Sequence, residues 1–266
     1  MPPAKKTPPQ VLCNNAGVMA LNDRATEDGF DVQMQVNHLG HYILTAKAMP
    51  ALELAAQIRG EARIVNHSSA ARANTDKKWP QCLDRKFLEK RPESGLGGDK
   101  VGMMVGGPWN RYQQTKLANV VFTYALRDRL AAAGSKVKAL VAHPGIAPTA
   151  LGRNMVKGGG KSIGPNWMNR IFIDMLGQSQ EDGSMGITLC SLQPGVESGQ
   201  FWGPLGKNYK FKVHNQGEYK GKAVVLPEEM NADQVARDML WDVSQASTGE
   251  EILIKSAASY YVKAAV

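Results

Sequence analysis

The sequence has few cysteines and no long apolar run. Its three cysteines, Cys13, Cys82 and Cys190, are far apart and odd in number. This argues against a disulfide framework, and no pair has the spacing of zinc ligands. A reducing compartment is expected, and the cytoplasm is the expected localisation. No stretch approaches the roughly 20 apolar residues that a membrane-spanning helix needs. The first ten residues hold four prolines and two lysines. They lack the apolar core of a secretory leader and the arginines of a transit peptide. Aromatic residues make up 7% of the chain and no internal repeat is visible.

The 266 residues, 43% hydrophobic and 21% charged, suffice for one sizeable α/β domain with a full core. The net charge is +8. Basic residues are spread along the chain, with a local excess at Lys207, Lys210, Lys212, Lys220 and Lys222, where Tyr209, Phe211 and Tyr219 interleave. Nucleic-acid binders show such patterns, but a solvated lysine-rich excursion accounts for this one, and no nucleic acid is expected as a partner.

Short apolar runs alternate with helical periods. Val11–Cys13 reads as a strand entering the turn Asn14-Asn15-Ala16-Gly17. A helix is expected to start near Thr26, Glu27 and Asp28 and to continue through Val32, Val36, Leu39 and Ile43, with Pro50 interrupting or kinking it. Ala62–Ser69 reads as a second strand with a polar end. Residues 72–110 are polar and read as a long excursion outside the core. Trp109–Leu130 has helical spacing and stops at Gly134; Val137–Ala142 is a third strand ending in His143-Pro144-Gly145. A helix over Met185–Leu192, a short strand within Gly199–Pro204 and a helix over Ala232–Val243 complete the reading. Strand–helix alternation predicts an α/β fold, a parallel sheet with right-handed crossovers and helices on both faces. In such sheets ligands bind at the carboxyl ends of the strands. Asn14, Ser69 and Pro144 each follow a predicted strand.

Tyr112 and Lys116 stand four apart, on one face of the longest predicted helix. A free phenol, with a pKa near 10, is a poor acid or base at neutral pH. A neighbouring ammonium stabilises the phenolate, so this pair is a candidate proton donor and acceptor.

Five segments in order, Asn14-Asn15-Ala16-Gly17, Val36-Asn37-His38-Leu39-Gly40-His41, Ile64 to Ser69, Tyr112 with Lys116, and His143-Pro144-Gly145, resemble the short-chain dehydrogenase/reductase family. Asn37 to His41 and Tyr112 to Asn119 look like the branch of retinol dehydrogenases and protochlorophyllide reductases. The resemblance implies a single Rossmann-like domain over residues 1–266. It implies an oxidoreductase that passes a hydride between NADP, with NAD as the alternative, and an apolar small-molecule carbonyl or alcohol. It also allows a homo-oligomer. Tyr112 would give or take the hydroxyl proton. Lys116 would tune Tyr112 and hold the nicotinamide ribose. Ser69 would hydrogen-bond the substrate oxygen, and Asn37 would support a relay water. Asn14, Ala16 and Gly17 would line the adenosine side of the cofactor cleft, and Pro144, Gly145 and Thr149 would frame the nicotinamide.

Against the family pattern, no glycine-rich turn precedes Asn14, where thirteen residues stand. Such a turn lets backbone amides meet a pyrophosphate. The first three strands of the Rossmann half are therefore expected to be missing, as in a truncated gene model, and no residue is assigned as selector between NAD and NADP. The competing expectation is a catalytically inactive remnant that binds a partner through an open sheet edge. Gly160-Lys161-Ser162-Ile163-Gly164 matches a hydrolase motif but lacks the strand a nucleophile elbow requires. His38 and His41, three apart, have no acidic or cysteine partner at matching spacing, and no metal is expected.

Overall fold

A computed structural model describes residues 7–73, 82–91, 95–100, 105–147, 177–205, 219–229 and 232–254. Thr149, the glycine-rich motif at 160–164 and Lys207 to Lys212 lie outside them. Five strands form one sheet in the order β1 (Val11–Asn14), β2 (Ala62–His67), β3 (Val137–Ala142), β4 (Phe201–Leu205), β5 (Lys222–Leu226). The first four run parallel and β5 is antiparallel to β4. Sequence reading did not foresee β5. It lies at the end of the lysine-rich stretch, where Lys222 and Val225 face outward and the apolar signal is a single short run.

Alternation along the central strands builds two cores, because successive side chains point to opposite faces. Ile64, Ala139 and Val141 face a large cluster with α2 (Gly40–Arg59), α3 (Gly107–Ala132) and α5 (Gln234–Thr248). Val65, Leu140 and Ala142 face a smaller one with Cys190, on α4 (Gln180–Leu192). Helices therefore cover both faces, and the architecture is the expected Rossmann-like α/β sheet. Among the described residues β1 lies at one edge and pairs with β2 alone.

The first helix begins later than the sequence suggested. Its N-cap is Asp31, whose carboxylate accepts from the Gln33 and Met34 amides at 3.0 and 2.9 Å. Thr26 sits in the preceding turn instead, accepting from the Gly29 amide. From Asp31 the chain passes through α1 (Val32–Met34), a π-helical turn (Gln35–Leu39) and α2. Pro50 lies inside α2 and does not end it.

The excursion over 72–110 is also corrected. Among its described residues Leu83, Phe87, Leu88 and Leu96 are buried in the large core. Its anchor is Arg111, fully buried on α3. The guanidinium donates to the carbonyls of Leu21, Leu96 and Gly98 at 2.9 to 3.1 Å. Asp31 and Asp23 lie within ion-pair distance, at 3.4 and 3.5 Å, and Asp23 in turn accepts from the amides of Gly95, Leu96 and Gly98. Burial outweighs the guanidinium at Asp31 and pushes its carboxyl up to about 6. Removing the cation from such a site leaves carboxylates without a counter-charge, which costs about 3–5 kcal/mol. Arg111→Met is therefore expected to lower unfolding free energy by about that much, read by urea denaturation; a loss below about 1 kcal/mol would show that the carboxylates find water instead.

α3 ends at Ala132, with Gly134 at φ +63°. The Ser135 amide reaches back to the Leu130 carbonyl at 3.0 Å, closing the last turn as a left-handed glycine allows.

Candidate active site

Tyr112 and Lys116 both lie on α3 in its most enclosed part, 3% and 5% exposed. The face they share looks onto the carboxyl ends of β1 and β2. Ser68 and Ser69, which leave β2, divide the work. Ser68 Oγ donates to the Lys116 carbonyl at 2.7 Å and so holds the helix. Ser69 caps a 3₁₀ turn (Ala70–Arg72), its Oγ accepting the Ala71 amide at 3.1 Å. That bond leaves the Ser69 hydroxyl proton free, and the Ser69 side chain is near enough to the Tyr112 phenol to favour its ionised form. Ser69 thus both caps a turn and reaches the phenol.

Lys116 Nζ donates to the His67 carbonyl at 3.0 Å, and lies 5.8 Å from the centre of the Tyr112 ring. Asn119, one turn further along, donates to the same carbonyl at 3.0 Å. Burial pulls the Lys116 ammonium down to about 8. It pushes the Tyr112 phenol up to about 12, against the Ser69 hydrogen bond. Desolvation is the larger effect on the phenol, and the ammonium is directed at the His67 carbonyl.

Asn37 sits in the π-helical turn, a local widening that often marks functional sites. Its side chain makes three bonds to the protein and keeps one acceptor site on Oδ1. Oδ1 accepts the Val18 amide at 2.8 Å, and Nδ2 donates to the Val18 carbonyl and Thr115 Oγ1 at 2.9 Å each. Thr115 in turn donates to the Tyr112 carbonyl at 2.7 Å. Asn37 therefore ties the loop after β1 to α3 beside Tyr112. Gly17 lies in that loop. A Cβ there would stand 3.1 Å from Asn37 Oδ1 and 3.6 Å from Lys116 Nζ, so its bare backbone keeps the approach to the amine open. Ala16 beside it is exposed.

Asn14 is buried at the end of β1 and braces the sheet. Its Nδ2 donates to Thr45 Oγ1 on α2 at 3.1 Å and to Asn66 Oδ1 on β2 at 2.9 Å. Pro144 and Gly145 follow β3. Gly145 has φ +67°, and a Cβ would collide with the Tyr219 carbonyl. The structure thus brings Asn37, Ser69, Tyr112, Lys116 and Gly17 together. Asn14, Pro144 and Gly145 stand at the same sheet end.

Three histidines surround the group. Burial, the largest cause for each, holds His38, His41 and His67 down to about 3, 4 and 3. His38 is spent on Ser244 Oγ at 2.8 Å and lies edge-on to Phe122. Among the described residues no set of three His, Cys, Asp or Glu is placed to hold a metal, and no helix is long and apolar enough to cross a membrane. Each neutral histidine contributes stability that is present above pH 6.5 and lost as pH falls towards about 3–4, because only the unfolded chain takes up the proton. Asp31 works the other way, its contribution lost as pH rises through about 6. Glu53, also raised by burial, works as Asp31 does; with three histidines against these two carboxyls, unfolding free energy is expected to fall steadily below pH 6.5. Urea titrations at pH 7, 6 and 5 test this; a flat profile would refute it.

Thr115, Asn119 and Arg72 were missed by sequence reading. Thr115 and Asn119 flank Lys116 on α3, and Asn119 at i+3 could have been found from spacing. Arg72 could not, because its partner Glu229 is 157 residues away.

No protein-family model matches the chain. Among curated proteins it is 29% identical to human polyprenol dehydrogenase over 253 residues, covering 92% of this chain and 62% of that protein. It is 38% identical to human retinol dehydrogenase 13 over 149 residues, covering 54% of this chain and 37% of that protein. The chain spans less than two thirds of the length of these relatives. A solved structure of an uncharacterized protein from Mycobacterium paratuberculosis superposes with a TM-score of 0.62 at 28% identity, covering 93% of this chain and 69% of that one. Fold and sequence are thus similar to those of short-chain dehydrogenases/reductases. Within that class the similarity is to the retinol dehydrogenase type.

Proposed function

We propose that this chain carries the proton-handling site of an oxidoreductase that passes a hydride between NAD(P)(H) and the carbonyl or alcohol of an apolar small molecule. The observation that carries the reading is the buried Tyr112 phenol beside Ser69, one helical turn from Lys116, whose amine lies 5.8 Å from the ring centre. The names of the relatives, a polyprenol and a retinol dehydrogenase, agree with an apolar alcohol. NADP is the proposed cofactor, with NAD as the alternative.

The residues fit the nicotinamide side of such a cofactor. An ammonium has three donors. One of those on Lys116 goes to His67, and Gly17 leaves the amine approachable. Lys116 would hold the ribose hydroxyls, with Pro144, Gly145 and Thr149 framing the ring and Asn14, Ala16 and Gly17 lining the adenosine side. When bound, the nicotinamide supplies or accepts the hydride. Ser69 donates to the substrate oxygen and fixes its distance from Tyr112. In reduction Tyr112 delivers its phenolic proton to that oxygen; in oxidation it takes the proton back. A phenol held near 12 is a reluctant acid, so the nearby ammonium matters most as negative charge develops on the Tyr112 oxygen. Asn37 holds the Val18 loop and Thr115 in register and supports a water that passes protons to Lys116.

Titration with NADPH and then NADH, followed by nicotinamide fluorescence, is expected to show saturable binding. Absence of binding to either at millimolar concentration would overturn the proposal for this chain.

A further inference from the structure

We infer that Arg72 is a positioning residue for the Ser69 hydroxyl, acting through a buried anchor that joins the serine turn to the far edge of the sheet. The inference rests on the dehydrogenase reading above for its functional consequence. Its geometry is independent of that reading.

Ser69 is not rigidly held by β2, which ends at His67. It opens a single 3₁₀ turn, Ala70–Arg72, and so short a turn has little intrinsic stability. The turn closes through the Arg72 amide on the Ser69 carbonyl at 3.1 Å. Arg72 then folds back, and its Nη1 donates to the same carbonyl at 3.3 Å. One residue thus grips the Ser69 peptide twice, from backbone and from side chain. The guanidinium is itself fixed on two sides. Nε donates to Glu229 Oε1 at 2.7 Å, in an ion pair whose side chains are 2% and 12% exposed. The planar group lies 4.4 Å above the centre of the Phe201 ring on β4. Phe201 in turn packs edge-on to His143, next to Pro144 and Gly145.

A cation this deep is costly unless well paired. The fork here spends a further donor on the carbonyl of Ser69, the serine beside the Tyr112 phenol. A planar fork suits this divided duty, and a lysine would supply a single point charge without the fixed plane. Releasing it frees the Ser69 peptide to rotate, which moves Oγ away from both the Ala71 amide and the phenol.

The test uses the full chain with Arg72→Met, Arg72→Lys, Ser69→Ala and the double variant Arg72→Met/Ser69→Ala. Amide exchange is measured on each without cofactor. Arg72→Met is expected to speed exchange at Ala71 and Arg72 at least tenfold while amides of Val120 to Ala125 on α3 are unchanged. Unchanged exchange at Ala71 would overturn the anchor. Turnover is measured in parallel with NADPH and a panel of apolar aldehydes and ketones. Arg72→Met is expected to lower kcat at least tenfold, with the NADPH dissociation constant within twofold of the parent. The double variant should be no slower than Ser69→Ala alone, because residues acting as a unit are non-additive. Additive losses would show that Arg72 acts elsewhere and would overturn the inference. Arg72→Lys should recover less than half of the lost kcat; full recovery would overturn the role of the fork. If Arg72→Met does not fold, Glu229→Gln weakens the same anchor and is read the same way. Absence of turnover and NADPH binding in the parent would refute the dehydrogenase reading and with it the effect on rate, while exchange at Ala71 would still decide the anchor.

Discussion

Tyr112→Phe is expected to lower kcat by roughly 10³-fold, within the range that a positioned general acid or base supplies, and to leave the fold intact. Among the described residues the Tyr112 phenol combines a transferable proton with a place beside Ser69. Lys116, the other candidate, spends one donor on His67 and stands to the side of the ring. Removing one buried hydroxyl leaves the ring packed against Trp109 at 5.9 Å between centroids and the small cluster of Ala20 and Ala71 undisturbed. The Ser69 hydroxyl loses an acceptor, a change of about 1 kcal/mol. Steady-state kinetics and thermal unfolding of the same preparation check the pair of claims. A phenylalanine variant retaining more than about a tenth of the parent kcat would remove Tyr112 from the chemistry.

Lys116→Met should do something less intuitive: abolish turnover while stabilising the protein at neutral pH. Burial lowers the ammonium from 10.5 to about 8. The native state therefore carries an uncompensated cost at pH 7 of about 3 kcal/mol, at 1.36 kcal/mol for each pKa unit. The unfolded chain binds the proton more tightly than the native one. Stability from this residue hence rises with pH between about 8 and 10.5. Methionine fills the same channel without a charge. The His67 carbonyl keeps the Asn119 amide as a donor, so the loss of one hydrogen bond, about 1 to 2 kcal/mol to a charged group, leaves no orphaned acceptor. A net gain of about 1 to 2 kcal/mol at pH 7 is expected, shrinking towards pH 10 as the parent sheds its proton. Urea unfolding at the two pH values reads both. A variant less stable than the parent at pH 7, or a difference constant with pH, would mean that Lys116 is not held as a strained buried cation. Carrying a destabilising group at a site is the expected mark of function over stability.

The central helix was legible because its period runs for more than twenty residues and its stop is a glycine that adopts a left-handed conformation. The start of the first helix was misplaced because Thr26, Glu27 and Asp28 carry the same capping chemistry as Asp31. Only packing of Phe30 and Met34 into the core selects the later cap. The excursion read as surface because it is polar on average. Leu83, Phe87, Leu88 and Leu96, which enter the core, are spaced too irregularly to register as a strand or helix, and Arg111, from outside the segment, gathers it in. β5 was missed for a related reason: an edge strand facing partly outward has only a weak apolar alternation.

The sequence by itself determined the parallel α/β class and the spacing that sets Tyr112 and Lys116 on one helix face, because both follow from local periodicity. It also placed Asn37 and Ser69 as candidates through resemblance. What the tertiary structure decided is how these groups are charged and held. Which serine meets the phenol depends on the turn after β2, where Ser68 is taken by the Lys116 carbonyl. The high phenol and the low ammonium come from burial between α3 and the strand ends, a property of the assembled core that no pair spacing encodes. The anchoring of Ser69 by Arg72 needs Glu229 and Phe201. Those residues are brought close by sheet pairing alone, since they lie more than a hundred positions away along the chain.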